Sequence, residues 1–186
     1  YGLMLNEDGM VFDDGVTTRI DENHYIMSTT TGNASSVMNK LEDWLQTEWP
    51  ELQVYLTSVT EEYGTISLNG PNSRKVMQKI SPHHDFSKEQ FPHMSFQNVD
   101  IDGVSCRVMR ISFTGELCYE INVPSSYANS AWKKCIEAGK EFDITPYGTE
   151  AMHVLRAEKG FVIVGQETDG SVTPIDLDMN WIVSKK

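Results

Sequence analysis

The sequence predicts an α+β protein, with antiparallel sheets and flanking helices arranged in two lobes. Three observations predict it. Short alternating segments follow one another in runs, joined by Asn, Asp and Gly turn chemistry. Segments with apolar residues at helical spacing stand between those runs. Strands and helices do not alternate strictly, as a parallel sheet would require.

Residues 2–6 read as a strand, and Asn6-Glu7-Asp8-Gly9 supplies the turn of a hairpin. Val16 to Ile20 alternates, Asp21-Glu22-Asn23 turns, and Tyr25 to Thr29 returns, so an antiparallel meander is expected. Asn33 stands where an N-cap belongs. Val37, Met38, Leu41, Trp44 and Leu45 follow as one helical face, and Pro50 stops the helix. Gln53 to Val59 and Gly64 to Leu68 read as two further strands. Asn69-Gly70-Pro71-Asn72 turns the chain into a short helix, Ser73 to Ile80, with Val76, Met77 and Ile80 inward.

The polar stretch from Ser81 to Pro92 reads as a loop. Strands are expected at His93–Ile101, Ser105–Ser112 and Cys118–Val123, with Asp102-Gly103 as a hairpin turn. Ser125 or Ser126 should cap a helix whose buried stripe is Ala128, Ala131, Trp132, Cys135 and Ile136, ending at Gly139. A last helix spans Pro146 to Gly160, followed by an irregular tail. The expected division falls after residue 50, giving lobes 1–50 and 51–186.

Bulk properties narrow the function. A hydrophobic content of 39% and a charged content of 23% belong to a globular protein with a real core. The net charge of −12 opposes nonspecific binding to nucleic acid. No apolar run approaches the roughly 20 residues of a membrane helix, so neither nucleic acid nor membrane is an expected partner. Three cysteines with no Cys-x-x-Cys pair argue against a disulfide framework and for a reducing cytoplasm. The chain begins on Tyr1-Gly2-Leu3-Met4-Leu5, without Met or signal-peptide order, and is expected to be a piece of a longer polypeptide.

The candidate chemistry rests on few residues. In Phe12-Asp13-Asp14-Gly15 the two acids are either turn formers or, on an extended strand, carboxylates pointing to opposite faces. In Phe113-Thr114-Gly115-Glu116-Leu117-Cys118-Tyr119-Glu120 a glycine turn leads into an alternating strand on which Glu116, Cys118 and Glu120 share a face. A carboxylate on such a strand is costly unless something pairs with it, so Glu120 is either an edge-strand surface acid or a ligand acceptor. Glu116 reads as a turn or capping residue. Arg156 and Glu158 are not helical neighbours, and Arg156 is either a ligand contact or part of a structural ion pair. Tyr1, Tyr25 and Tyr119 are either aromatic walls or core. His83, His84 and His93 complete no metal spacing, and no dinucleotide or P-loop motif occurs.

The Phe113–Glu120 block, together with Tyr147-Gly148-Thr149-Glu150-Ala151-Met152-His153-Val154-Leu155-Arg156-Ala157-Glu158-Lys159-Gly160, resembles the aminomethyltransferase (glycine-cleavage T-protein) family. The likeness covers the whole chain. The family fold has two α+β lobes, one inserted into the other, and a terminal β-barrel around tetrahydrofolate. By that resemblance residues 1–50 close the inserted lobe, residues 51–186 carry most of the first lobe and an irregular tail, and the start of the first lobe and the barrel are missing. The resemblance implies that Asp14, spaced from Tyr1 as in the family, is the catalytic group, with Asp13 as runner-up. It implies that Glu120 clamps the pterin, Phe113 packs on its ring, and Tyr1 and Arg156 complete the folate site.

Departures point to one branch. Phe113 replaces the Tyr of the lipoyl-dependent members, Ala151-Met152-His153 replaces Ala-Arg-Asp, and Thr30-Thr31-Gly32-Asn33 keeps only one of two asparagines. These changes, with Val164-Gly165-Gln166-Glu167-Thr168-Asp169-Gly170, resemble the alpha subunits of heterotetrameric sarcosine oxidases. That branch implies oxidative demethylation of sarcosine to glycine, with the one-carbon unit passed to tetrahydrofolate. A flavin-bearing beta subunit is the implied partner, and flavin and NAD bind parts of the assembly outside this chain. Competing readings are a glycine-cleavage or dimethylglycine-oxidising enzyme, a non-catalytic folate-binding module, and a structural interface domain.

Overall fold

The computed structural model describes residues 1–185. They form two compact units, one of Tyr1–Ser58 with the tail from Val162 on, the other of Val59–Phe161. The expected division after residue 50 differs from this grouping at both ends. Residues 51–58 and the tail belong with the first unit, and a hydrogen bond from Val11 N to Val172 O at 2.8 Å ties the tail to that unit's first hairpin.

In the first unit, β1 (Gly2–Leu5) and β2 (Val11–Gly15) pair antiparallel, with Leu3 opposite Asp14 and Met4 opposite Asp13. Asn6 closes the turn: its carbonyl accepts from Gly9 N at 3.0 Å and its side chain from Met10 N at 2.9 Å. Asp13 and Asp14 are therefore strand residues, not turn formers. β3 (Thr17–Asp21) and β4 (His24–Met27) make a separate two-stranded sheet, so the expected meander is two hairpins. Only Val16 separates β2 from β3. The extended chain runs on and exchanges one partner for another there, and Val16 O accepts from Ser28 N at 3.0 Å. Gly15 permits this crossing, because a Cβ at that position would sit 1.7 Å from the Ser28 carbonyl oxygen.

Helix α1 (Ala34–Thr47) buries Val37, half-buries Met38, Leu41, Trp44 and Leu45, and ends before Pro50. Asn33 takes the N-cap position, but its side chain makes no cap. It serves β2 instead, as described below. The strand expected at Gln53–Val59 is absent among the described residues: Tyr55 is 95% exposed and Leu52 and Val54 are each 50% exposed. Alternation alone makes no strand when no neighbouring edge supplies hydrogen bonds.

The second unit is a four-stranded antiparallel sheet with helices. Its elements are β5 (Tyr63–Asn69), α2 (Ser73–Ile80), β6 (Phe96–Ile101), β7 (Val104–Met109), β8 (Cys118–Pro124), α3 (Ala128–Gly139) and α4 (Thr149–Lys159). The strand order is β5-β8-β7-β6. Tyr119, Ile121 and Val123 of β8 join Val76, Met77 and Ile80 of α2 and Ala131 and Cys135 of α3 in one core. Trp132, expected in that stripe, is 43% exposed. Neither Ser125 nor Ser126 caps α3, because a 3-10 turn over Ser125–Tyr127 leads into it.

The loop from Ser81 to Pro92 contributes Phe86 and Phe91, both fully buried, which pack edge-on to Tyr119 at 5.8 and 5.6 Å. Tyr119 is thus core rather than a site wall. Gly160 ends α4 at φ 84°, a conformation that a side chain would strain.

Candidate functional site

Each unit carries a cluster of chemically capable side chains. In the first unit the β1–β2 pairing brings the Tyr1 hydroxyl onto Asp14, to which it donates at 2.8 Å on Oδ2. Burial pushes the Asp14 carboxyl above its ordinary value; the Tyr1 hydrogen bond pulls it down, and the charge of Asp13 adds to the rise. The Tyr1 phenol is also pushed up, first by burial and then by the Asp14 charge.

Asp13 lies on the other side of β2 and is fully buried. Its carboxylate accepts from Asp14 N at 2.7 Å, from Thr30 N at 3.3 Å and from Asn33 Nδ2 at 3.0 Å. Asn33 Nδ2 also donates to the Phe12 carbonyl at 3.2 Å. Asp13 is therefore engaged as the post that holds the strand to the entrance of α1, while Asp14 keeps a carboxylate oxygen outside that network. Beside them a cavity of about 510 Å³ is lined by Val11, Phe12 and Asn33 together with Gly165, Thr168 and Asp169 of the tail. Lys40 stands 5.0 Å over the Phe12 ring. The sequence marks these tail residues as irregular and, over Val164–Gly170, by their likeness to the alpha-subunit branch. Gly165 N donates to Thr168 Oγ1 at 3.0 Å, and Val164 and Thr168 form a β-bridge.

In the second unit the period of two on β8 decides the site. Tyr119, Ile121 and Val123 enter the core, so Cys118, Glu120 and Asn122 take the opposite face. Cross-strand pairing sets Ser67 and Met109 opposite Glu120, and Thr65 and Arg107 opposite Asn122. Glu120 is half-buried, and burial alone pushes its carboxyl up. Among the described residues its carboxylate has no hydrogen bond or ion pair. Around it Ser67 Oγ lies 3.4 Å from Cys118 Sγ, and Asn69 donates to both Ser67 Oγ, at 2.9 Å, and the Tyr147 hydroxyl. Thr114 Oγ1 closes the group by donating to Asn69 Oδ1 at 2.9 Å.

The other predicted residues of this unit are placed as follows. Phe113 is half-buried in the bend before β8, and Glu116 is exposed there. Arg156 is buried on α4, and its Nη1 donates to the Phe161 carbonyl at 3.0 Å, beyond the helix end. Arg107 stands 5.3 Å over the Tyr63 ring, with Nε and Nη1 buried and unpartnered among the described residues, as is Asn122 Nδ2. Arg110 donates to the Phe91 carbonyl at 2.6 Å and supports the loop. Ser67, Asn69 and Tyr147 were not singled out from sequence. Only Tyr147, inside the block that carries the family resemblance, offered a signal. No group of three or more His, Cys, Asp or Glu gathers as a metal site among the described residues.

Comparison with known proteins decides the family. The GCVT N-terminal domain matches residues 1–186. The chain belongs to the GCVT N-terminal domain family. Within it the chain is 58% identical over 186 residues to the sarcosine oxidase subunit alpha of Corynebacterium sp. (strain P-1), covering 100% of this chain and 19% of that protein. The corresponding subunit of Rhizobium meliloti (strain 1021) is 44% identical, over 99% of this chain and 19% of its own length. An aminomethyltransferase of Thermoanaerobacter pseudethanolicus is 30% identical, over 98% of this chain and 48% of its own length. This GCVT chain therefore spans about a fifth of the alpha subunits and about half of the aminomethyltransferase. The crystal structure of glycine cleavage system aminomethyltransferase T from Bartonella henselae superimposes with a TM-score of 0.79 at 23% identity, over 98% of this chain and 46% of that one. The α+β fold with antiparallel sheets is thereby the GCVT aminomethyltransferase fold.

Proposed function

We propose that this chain binds tetrahydrofolate through Glu120 and assists transfer of a one-carbon unit to it, as part of an enzyme that oxidatively demethylates sarcosine to glycine. The observation that carries the reading is the Glu120 carboxylate, half-buried and without a partner among the described residues. Such a group is unfavourable unless a ligand satisfies it. The pterin ring presents an amino group and a ring N–H side by side, and an ionised carboxylate accepts both. Phe113 is the proposed ring contact, and Tyr1 and Arg156 the further folate-binding residues.

Asp14 is the proposed catalytic group. A carboxylate whose proton affinity is raised by burial can hold or orient a proton while the one-carbon unit is captured, and its charge favours a cationic intermediate. Tetrahydrofolate, when bound, would supply the nitrogens that hold the carbon as 5,10-methylenetetrahydrofolate once the flavin-dependent oxidation has brought it to the formaldehyde level. The similarity to sarcosine oxidase alpha subunits over the full chain supports the substrate and the multi-subunit setting. In that setting the oxidation belongs to a flavin-bearing beta subunit, and NAD to a part of the assembly outside these residues. Three cysteines, all free, suit a cytoplasmic location. We read residues 1–50 as the closing half of an inserted lobe and residues 51–186, although they fall in both compact units, as the larger part of the folate-binding one.

Calorimetry on the intact protein tests the reading. Glu120→Ala should weaken tetrahydrofolate binding by the loss of charged hydrogen bonds, about 1.5–3 kcal/mol each. Unchanged affinity would return Glu120 to the surface and remove the folate assignment.

A further inference from the structure

We propose that Tyr147 is a second recognition group of the Glu120 site, donating its phenol proton to the ring carbonyl that adjoins the donors taken by Glu120. The inference rests on the folate reading above and adds a specificity residue to it.

Asn69, the last residue of β5, has both amide hydrogens and its carbonyl oxygen engaged. Its Oδ1 accepts from Thr114 at 2.9 Å, and its Nδ2 donates to Ser67 Oγ at 2.9 Å and to the Tyr147 hydroxyl. A planar amide fixed at both ends is a rigid post, and it fixes the Tyr147 oxygen as an acceptor. Burial raises the Tyr147 phenol, and the hydrogen bonds with Ser67 and Asn69 oppose that rise. With Asn69 donating to the oxygen and the Ser67 hydroxyl turned as a second donor, the phenol proton is left for a ligand acceptor.

Its place is set by register. Ser67 is directly opposite Glu120, and Asn69 is opposite Cys118, so the two residues that hold the hydroxyl flank the carboxylate on the same sheet face. Directly opposed side chains start about 4.5–5.5 Å apart at Cβ. The Tyr147 hydroxyl is close enough for the Glu120 charge to act on it. The site thus offers an acceptor pair, the Glu120 carboxylate, next to one donor, the Tyr147 hydroxyl.

A 2-amino-4-oxo pyrimidine edge presents the complement: amino N–H, ring N–H, then a carbonyl. A 4-amino analogue carries a donor where the carbonyl stood, and the Tyr147 proton has nothing to meet. The analogue also lacks the ring N–H that Glu120 accepts, so Glu120 and Tyr147 select the 4-oxo ring together, and the Tyr147 share is what its own substitution reads. Tyr147 is 40% exposed, and its truncation to Phe removes one oxygen without opening the core.

The test uses the intact protein and two probes, tetrahydrofolate and tetrahydroaminopterin, which differ at C4 and in the hydrogen on the adjoining ring nitrogen. Tyr147→Phe should bind tetrahydrofolate about 2–10-fold more weakly, the range for one neutral hydrogen bond. Tetrahydroaminopterin affinity should be the same in the variant as in the parent, or below detection in both. Asn69→Ala should reproduce part of the tetrahydrofolate loss, because the hydroxyl is no longer held. Unaltered tetrahydrofolate binding in Tyr147→Phe, with a clear loss in Glu120→Ala, would overturn the Tyr147 proposal and leave the folate reading standing. Equal weakening for both probes would make Tyr147 a packing residue and overturn it too. No effect of Glu120→Ala would remove both readings together.

Discussion

The Tyr1 hydroxyl donates to Asp14 Oδ2 at 2.8 Å, across the first hairpin of the molecule. The bond opposes what burial and Asp13 do to the same carboxyl, both of which drive it toward the protonated form. Tyr1 thus sets how readily Asp14 takes up a proton, and Tyr1→Phe should move Asp14 titration to higher pH still. Carboxyl-carbon NMR over a pH series reads this directly. A midpoint that stays put or falls would mean that the Tyr1 hydroxyl does not govern the Asp14 charge.

Asp14→Asn separates binding from chemistry. If Asp14 holds or accepts a proton in the folate-dependent step, formation of 5,10-methylenetetrahydrofolate should fall by about 10²–10⁴-fold, the range for general acid–base assistance. Oxidation of sarcosine should continue at its usual rate and release formaldehyde, which the assay must trap to suppress uncatalysed condensation. Parallel loss of oxidation and folate product would make Asp14 a support of the hairpin instead.

Asp13 has the opposite character, and its replacement should be read in stability. Asp13→Ala leaves Asp14 N, Thr30 N and Asn33 Nδ2 without their acceptor. A buried donor left unpaired costs about 1–3 kcal/mol, and urea unfolding of the intact protein should show a loss of at least that size. Asp13→Asn, which keeps one acceptor oxygen, should lose less. A neutral Asp13→Ala would show that water replaces the carboxylate.

Glu120→Gln should trade affinity for stability. The folded carboxyl is raised by burial, so in the window above the ordinary glutamate pKa the folded state holds a proton that the unfolded chain has released. Stability contributed by the protonated form is complete below that window and is lost as pH rises through the raised value. Without ligand, the Gln variant should melt higher than the parent at neutral pH, and the two should converge below about pH 4. Folate binding should weaken at the same time. A parent protein that melts above the variant at pH 7 would mean that Glu120 has a stabilising partner in the intact protein.

What the sequence by itself determined was local and periodic. Asn6–Gly9 and Asp102-Gly103 form the expected turns, and Ser73–Ile80 is a helix with Val76, Met77 and Ile80 buried. The period of two also fixed that Asp13 and Asp14, like Tyr119 and Glu120, must look to opposite sides, because a strand leaves no other choice. The family, too, was legible in the Phe113–Glu120 and Tyr147–Gly160 blocks.

Only the tertiary structure decided which of those sides meets the core and what each side chain then touches. Tyr119 became core because Phe86 and Phe91 of a polar-looking loop pack against it, and this left Glu120 on the other face. Asn33 gave up capping because the Asp13 carboxylate lay within reach, and Gln53–Val59 formed no strand because no edge received it. Ser67, Asn69, Thr114 and Tyr147 meet through hydrogen bonds between distant segments, which no window along the chain contains. Periodicity follows from the geometry of one backbone, whereas partnership follows from which surfaces are buried together, and burial is a property of the whole fold.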